Sequence, residues 1–94
     1  MRTKNELKQH IPNNINAELN AYVAHRREPS PFLEAVLTND LMGTFQNADI
    51  QELLSLPYLL EYVYSYCSST CYGSRAKVHN WLNPEEKPPN DTAH

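Results

Sequence analysis

Apolar residues recur along this chain at intervals of three and four, the period of a helix face, and nowhere alternate as in a strand. The stretch NNINAELNAYVAHRR sets Ile15, Leu19, Tyr22 and Val23 on one stripe, with Asn13 or Asn14 after Pro12 as the N-terminal cap. A second helix starts at Ser30 and Pro31, the proline taking the first position, where its missing N–H costs nothing. Phe32, Leu33, Val36 and Leu37 form its buried face. Asn39 and Asp40 then mark a break and a fresh cap for LMGTFQNA, a short helix weakened at Gly43, where the absent side chain would let another helix come close. Asp49 and Glu52 form a capping box ahead of Leu53, Leu54 and Leu56. Pro57 predicts a kink or restart, because a proline inside a helix removes one bond and clashes with the preceding turn. Beyond it Leu59, Leu60, Val63 and Cys67 point inward. Gly73 and Ser74 end that helix and cap the last one, RAKVHNWL, whose Val78, Trp81 and Leu82 share a face.

The pattern therefore predicts an all-α fold: a single domain of four to five short helices packed orthogonally, each too short to build a long bundle. Residues 1–12 read as a polar N-terminal arm, residues 13–82 as the helical domain, and residues 83–94, Pro-rich and charged, as a disordered C-terminal tail.

A length of 94 residues sits near the lower end of what one apolar core supports without staples. Two cysteines are too few for a disulfide scaffold, so packing must hold the fold. No run approaches the ~18 apolar residues of a membrane span, and the polar N-terminus lacks the apolar stretch of a secretory signal. The expectation is a cytoplasmic protein with no membrane partner.

Charge sharpens the picture. The net value of −3 is unevenly spread: Arg2, Lys4, Lys8, Arg26 and Arg27 lie near the start. Glu28, Glu34, Asp40, Asp49, Glu52 and Glu61 then follow with no lysine or arginine until Arg75. A long base-free centre argues against a nucleic-acid groove, which needs clustered cations to displace counterions. Either the basic ends fold back and partly neutralise this acidic middle, or the middle is an acidic face offered to a protein partner with a basic surface.

Candidate chemistry is sparse. Cys67 and Cys71 form one close pair, and His79 offers a third ligand, but the second pair of a structural zinc site is missing. A redox pair would have only two residues between its cysteines and would precede a helix after a strand, and neither condition holds. A disulfide across four residues is conceivable in geometry, yet it closes a tiny loop. The pair is best read as two free thiols bracketing a turn, with no metal and no cofactor. No base stands ready beside a nucleophile, no carboxylate orients His79, and no Gly-rich phosphate loop occurs, so the chain is not read as an enzyme.

Tyrosine stands out instead. Tyr58, Tyr62, Tyr64, Tyr66 and Tyr72 fall within fifteen residues. Tyr58, Tyr62 and Tyr66 recur every four positions and line one helix face, with Glu61 between them. This ridge is the expected partner-binding site, since tyrosine supplies rigid apolar area with a polar tip. The competing reading is that the ridge is a dimer contact or packs under the N-terminal helix.

The run PSPFLEAVLTNDLMGTFQNADIQ, followed by YVYSYC and CYGSRAKVHNWL, resembles a group of small accessory proteins encoded by tailed bacteriophages. The shared pattern is a Pro-Phe helix start, an Asn-Asp-Leu break, an Ala-Asp cap, a Cys-aromatic-Gly-Ser turn and a Trp-Leu helix end. It covers residues 29–82, with Tyr72 standing where tryptophan is expected. The resemblance implies provenance and a style of action: binding a host or phage protein and blocking or redirecting it. It implies no catalytic residues. Two other classes remain open, a small DNA-associated regulator using the basic N-terminal segment and a self-assembling structural protein, for which a homodimer is one form.

Overall fold

A computed structural model describes residues 2–84 of the chain. Its elements are α1 (Lys4–Gln9), α2 (Asn13–His25), α3 (Pro31–Leu37), α4 (Leu41–Asn47), α5 (Ile50–Tyr66), a 3₁₀ turn (Ser69–Cys71) and α6 (Arg75–Leu82). The all-α class holds, with six α-helices among the described residues rather than four or five. The expected tail lies, from residue 85 on, outside the described residues.

Local chemistry explains most boundaries. Asp49 and Glu52 close the capping box at the head of α5, with the Asp49 carboxylate 2.7 Å from the Glu52 N–H and the Glu52 carboxylate 2.9 Å from the Asp49 N–H. Ser74 caps α6 through the Lys77 N–H at 3.1 Å, and Asp40 caps α4 through the Gly43 N–H at 2.9 Å. Gly43 serves that cap: a Cβ there would lie 2.3 Å from the Asp40 carboxylate, so the missing side chain makes room for the cap rather than for another helix. Pro12, not Asn13 or Asn14, occupies the cap of α2. Ser30 sits at the cap of α3, but its hydroxyl makes no capping bond; its N–H donates instead to Glu18 at 3.1 Å, tying α3 to α2.

Two sequence expectations are corrected. The restart expected at Pro57 does not occur: α5 runs for 17 residues as one helix, with Pro57 exposed. The N-terminal segment is not a polar arm. Thr3 and Glu6 form a capping box, and the short helix they start buries Leu7 completely and Ile11 almost so. Asn16 fastens the end of α1, its amide donating to the carbonyls of Lys8 and Ile11 at 3.1 and 3.2 Å.

The core gathers Ile15, Leu19 and Tyr22 of α2, Phe32, Leu33 and Leu37 of α3, Leu59 and Val63 of α5, Cys71, and Val78 of α6. Val36, Trp81 and Leu82 pack against it part-buried. Leu60, expected inward, is half exposed because α5 carries apolar residues on nearly every side and only one arc can face the core. Among the described residues no helix is long and apolar enough to cross a membrane.

Candidate interaction surface

The tyrosine ridge forms as its spacing requires, but α1 and the residues before it lie upon it. His10 stacks on Tyr58 with ring centroids 4.3 Å apart and planes 20° from parallel. The Arg2 guanidinium stands 5.3 Å from the Tyr58 ring centre, and the Lys4 ammonium 6.0 Å from that of Tyr62. Tyr62 and Tyr66 tilt against each other at 5.7 Å, and the Tyr66 hydroxyl donates to the Arg2 carbonyl at 3.0 Å. Glu61 forms an ion pair with Arg2, the single ion pair among the described residues. Tyr58, Tyr62, Tyr66 and Glu61 are thus brought together, and what they hold is the chain's own N-terminus. The expected partner-binding ridge is an intramolecular seat.

The thiols of Cys67 and Cys71 are quiet. Burial pushes Cys67 up to about 11, reinforced by nearby Cys71 and partly offset by Lys4. Burial raises Cys71 as well, and its thiol donates to the Ser68 carbonyl at 3.1 Å. At neutral pH both are protonated, the reverse of what an activated nucleophile needs. Among the described residues no three His, Cys, Asp or Glu side chains converge as a metal set. Purified protein is expected to carry two titratable free thiols and no zinc; elemental analysis showing one zinc per chain would refute this.

These groups also set a pH limit. Cys67, Cys71 and Tyr22 all hold their protons more tightly folded than unfolded, chiefly through burial. Their contribution is therefore fully present below about pH 9 and is lost as pH climbs toward 11 and beyond, where the unfolded chain gives up protons first. Urea midpoints should be level around neutrality and decline through that alkaline window. A midpoint unchanged at pH 11 would contradict the burial of these side chains.

The surface that is open lies on α4 and α5. Leu41, Met42 and Phe45 of α4 are 77, 64 and 63% exposed, and Ile50, Leu54 and Tyr64 of α5 are 71, 71 and 77% exposed. Leu41 and Leu60 line one groove between the two helices, with Thr44 and Leu56 at its floor. Leu60 and Tyr64 continue into a second groove, bounded by Val36, Tyr72 and Gly73. Large apolar side chains exposed in this number are uncommon on a protein that works alone. The sequence pattern placed Leu60 in the core and gave Leu41, Met42, Phe45 and Ile50 no role. The available signal was the excess of apolar positions around α5 over what one buried face can absorb.

Compared with known proteins, the chain matches no family model, no curated protein and no solved structure.

Proposed function

We propose that this chain is a non-catalytic protein-binding module, a phage-encoded inhibitor or modulator of a host or phage protein, such as host machinery, a defence system or a repressor. The observation that carries the binding role is the α4 ridge: Leu41, Met42 and Phe45 stand in solvent on a helix of only 7 residues. A helix this short gains nothing from displaying three large apolar side chains unless something covers them. Methionine and phenylalanine together make an adaptable contact, one flexible and one rigid. Asp40 and Asp49 flank the ridge, and no lysine or arginine occurs between Glu28 and Ser74. The fitting partner is a protein surface with an apolar pocket and a basic rim. The phage provenance rests on the resemblance over residues 29–82.

The DNA-associated reading loses ground because three of the N-terminal cations are engaged within the protein. Arg2 and Lys4 lie over Tyr58 and Tyr62, and Arg26 lies 3.9 Å over the Trp81 ring.

The test is capture of a binding protein from a host extract by the tagged chain, followed by a direct binding assay with the identified protein. Phe45→Asp is expected to weaken binding at least about tenfold, the loss of one central anchor, while its circular dichroism stays unchanged. Glu61→Lys should leave affinity near the wild-type value. If Glu61→Lys abolishes binding and Phe45→Asp does not, the α4 ridge is not the contact.

A further inference from the structure

Of the six tyrosines in this chain, four pack on another ring. Tyr22 meets Trp81, Tyr58 meets His10, and Tyr62 meets Tyr66. Tyr64 and Tyr72 are left over. Among the described residues neither packs on an aromatic ring, and neither hydroxyl has a hydrogen-bond partner. Both border the same hollow of about 370 Å³. Tyr64 rises from α5 and is exposed, whereas Tyr72 follows the 3₁₀ turn and is half-buried against the core. Val36, Leu60 and Val63 supply the apolar remainder of the lining. Two left-handed residues shape it. Gly73, at φ 115°, donates its N–H to the Leu37 carbonyl at 2.7 Å and so pins the turn that carries Tyr72 to α3. Asn39, at φ 64°, borders the hollow from the α3–α4 junction, and its side-chain amide has no partner among the described residues. No charged side chain lines the hollow.

We infer that this hollow binds a small neutral aromatic molecule with one polar edge, an indole or a phenol in type. Two phenol rings without ring partners offer the faces on which a flat ligand packs. The aliphatic side chains beside them take the ring out of water. The Asn39 amide both donates and accepts, so it can pair with an N–H or an O–H on the ligand's edge. A charged ligand would lose hydration against a lining that holds no counter-charge. A wholly apolar one would cover the amide without pairing it. The volume lies at the lower end of the ~300–1,000 Å³ of small-molecule sites, which suits one or two fused rings. Leu41, Met42 and Phe45 take no part in the lining, so the site goes beyond the partner-binding reading and stands apart from the α4 ridge.

Titration of the isotope-labelled full chain with indole, followed through its backbone amide resonances, tests the inference. Shifts should saturate with a dissociation constant on the order of 1 mM, a modest efficiency for a ligand of about nine heavy atoms. They should centre on Asn39, Leu60, Tyr64, Tyr72 and Gly73. Tyr64→Ala should weaken binding about three- to tenfold, the worth of one aromatic pair, and Tyr64→Phe, which keeps the ring, should stay near wild type. Position 64 is exposed, so both variants keep the fold, and circular dichroism checks this. Phe45→Asp should leave indole binding unchanged. Indole-3-carboxylate adds a charge to the same ring, and cyclohexanol is polar without an aromatic face; each should bind at least about fivefold more weakly than indole. No saturable shift up to about 10 mM indole overturns the site. Binding that Tyr64→Ala leaves intact, or that either control ligand matches, overturns it as well.

Discussion

Deleting residues 2–11 is expected to leave a chain that no longer melts cooperatively. The segment supplies Leu7, with no exposed surface, and Ile11, with 3%. Burying a side chain of this size is worth about 1.5–3 kcal/mol, so the two account for roughly 3–6 kcal/mol. A domain of this length has about 5–15 kcal/mol in total, and the deletion therefore removes a large share of its stability. The loss is compounded because Tyr58 and Tyr62 lose their cover, and the chain gains an exposed aromatic face that favours association. Leu7→Ala alone should lower stability by about 2–4 kcal/mol, read from a urea melt followed by circular dichroism. Arg2→Ala should cost about 1 kcal/mol, because the Arg2 side chain is half exposed and solvent screens its pair with Glu61. A truncated chain that melts with the wild-type midpoint would show that α1 is an ornament on the fold.

That dependence was hidden in the sequence for a physical reason. Leu7 and Ile11 are isolated apolar residues among Lys, Asn, Glu, Gln and His, too few to set up a period. The signal that was present is the capping pair of Thr3 and Glu6, of the same kind as Asp49 and Glu52. The long, strongly periodic segments were legible. The stripe of α2, the face of α3 and the caps of α4, α5 and α6 all follow from spacing and residue type. The tyrosine ridge shows where such reading stops. Spacing places Tyr58, Tyr62 and Tyr66 on one face of α5, but what covers that face comes from more than 45 residues upstream. Local periodicity carries no information about such a contact. Pro57 marks a second limit: a proline costs its helix one bond and crowds the preceding turn, and whether packing along the rest of α5 outweighs that cost is not written in the local sequence.

Trp81→Ala is the second substitution expected to act strongly, because it opens the corner where α2, the 3₁₀ turn and α6 meet. The corner is built around Tyr22, which is fully buried and whose hydroxyl donates to the Cys71 carbonyl at 2.7 Å. The carbonyl of the same residue accepts the Trp81 indole N–H at 2.9 Å. Arg26 closes the ring of contacts: its guanidinium covers the indole and donates to the Trp81 carbonyl at 2.8 Å. To hold it there, the backbone at Arg26 takes the left-handed conformation, φ 55°, that ends α2. This is how the stretch from Cys67 to Leu82 uses its chemistry: a buried thiol, a turn and a tryptophan fasten the C-terminal helix to α2. Full burial of a tryptophan would put the alanine substitution at about 3–5 kcal/mol, and partial exposure of Trp81 places it nearer about 3 kcal/mol. Tyr22→Phe should cost about 1–3 kcal/mol, since it keeps the ring and leaves the Cys71 carbonyl buried without its donor. Arg26→Ala should cost about 1 kcal/mol in wild type and less in a Trp81→Ala background, because the ring it covers is gone and only its bond to the backbone carbonyl at that position remains. Urea melts of the four proteins and of the double variant form the cycle. Additive losses for Arg26 and Trp81 would mean that the two side chains do not act on each other, and that the corner is held by packing alone.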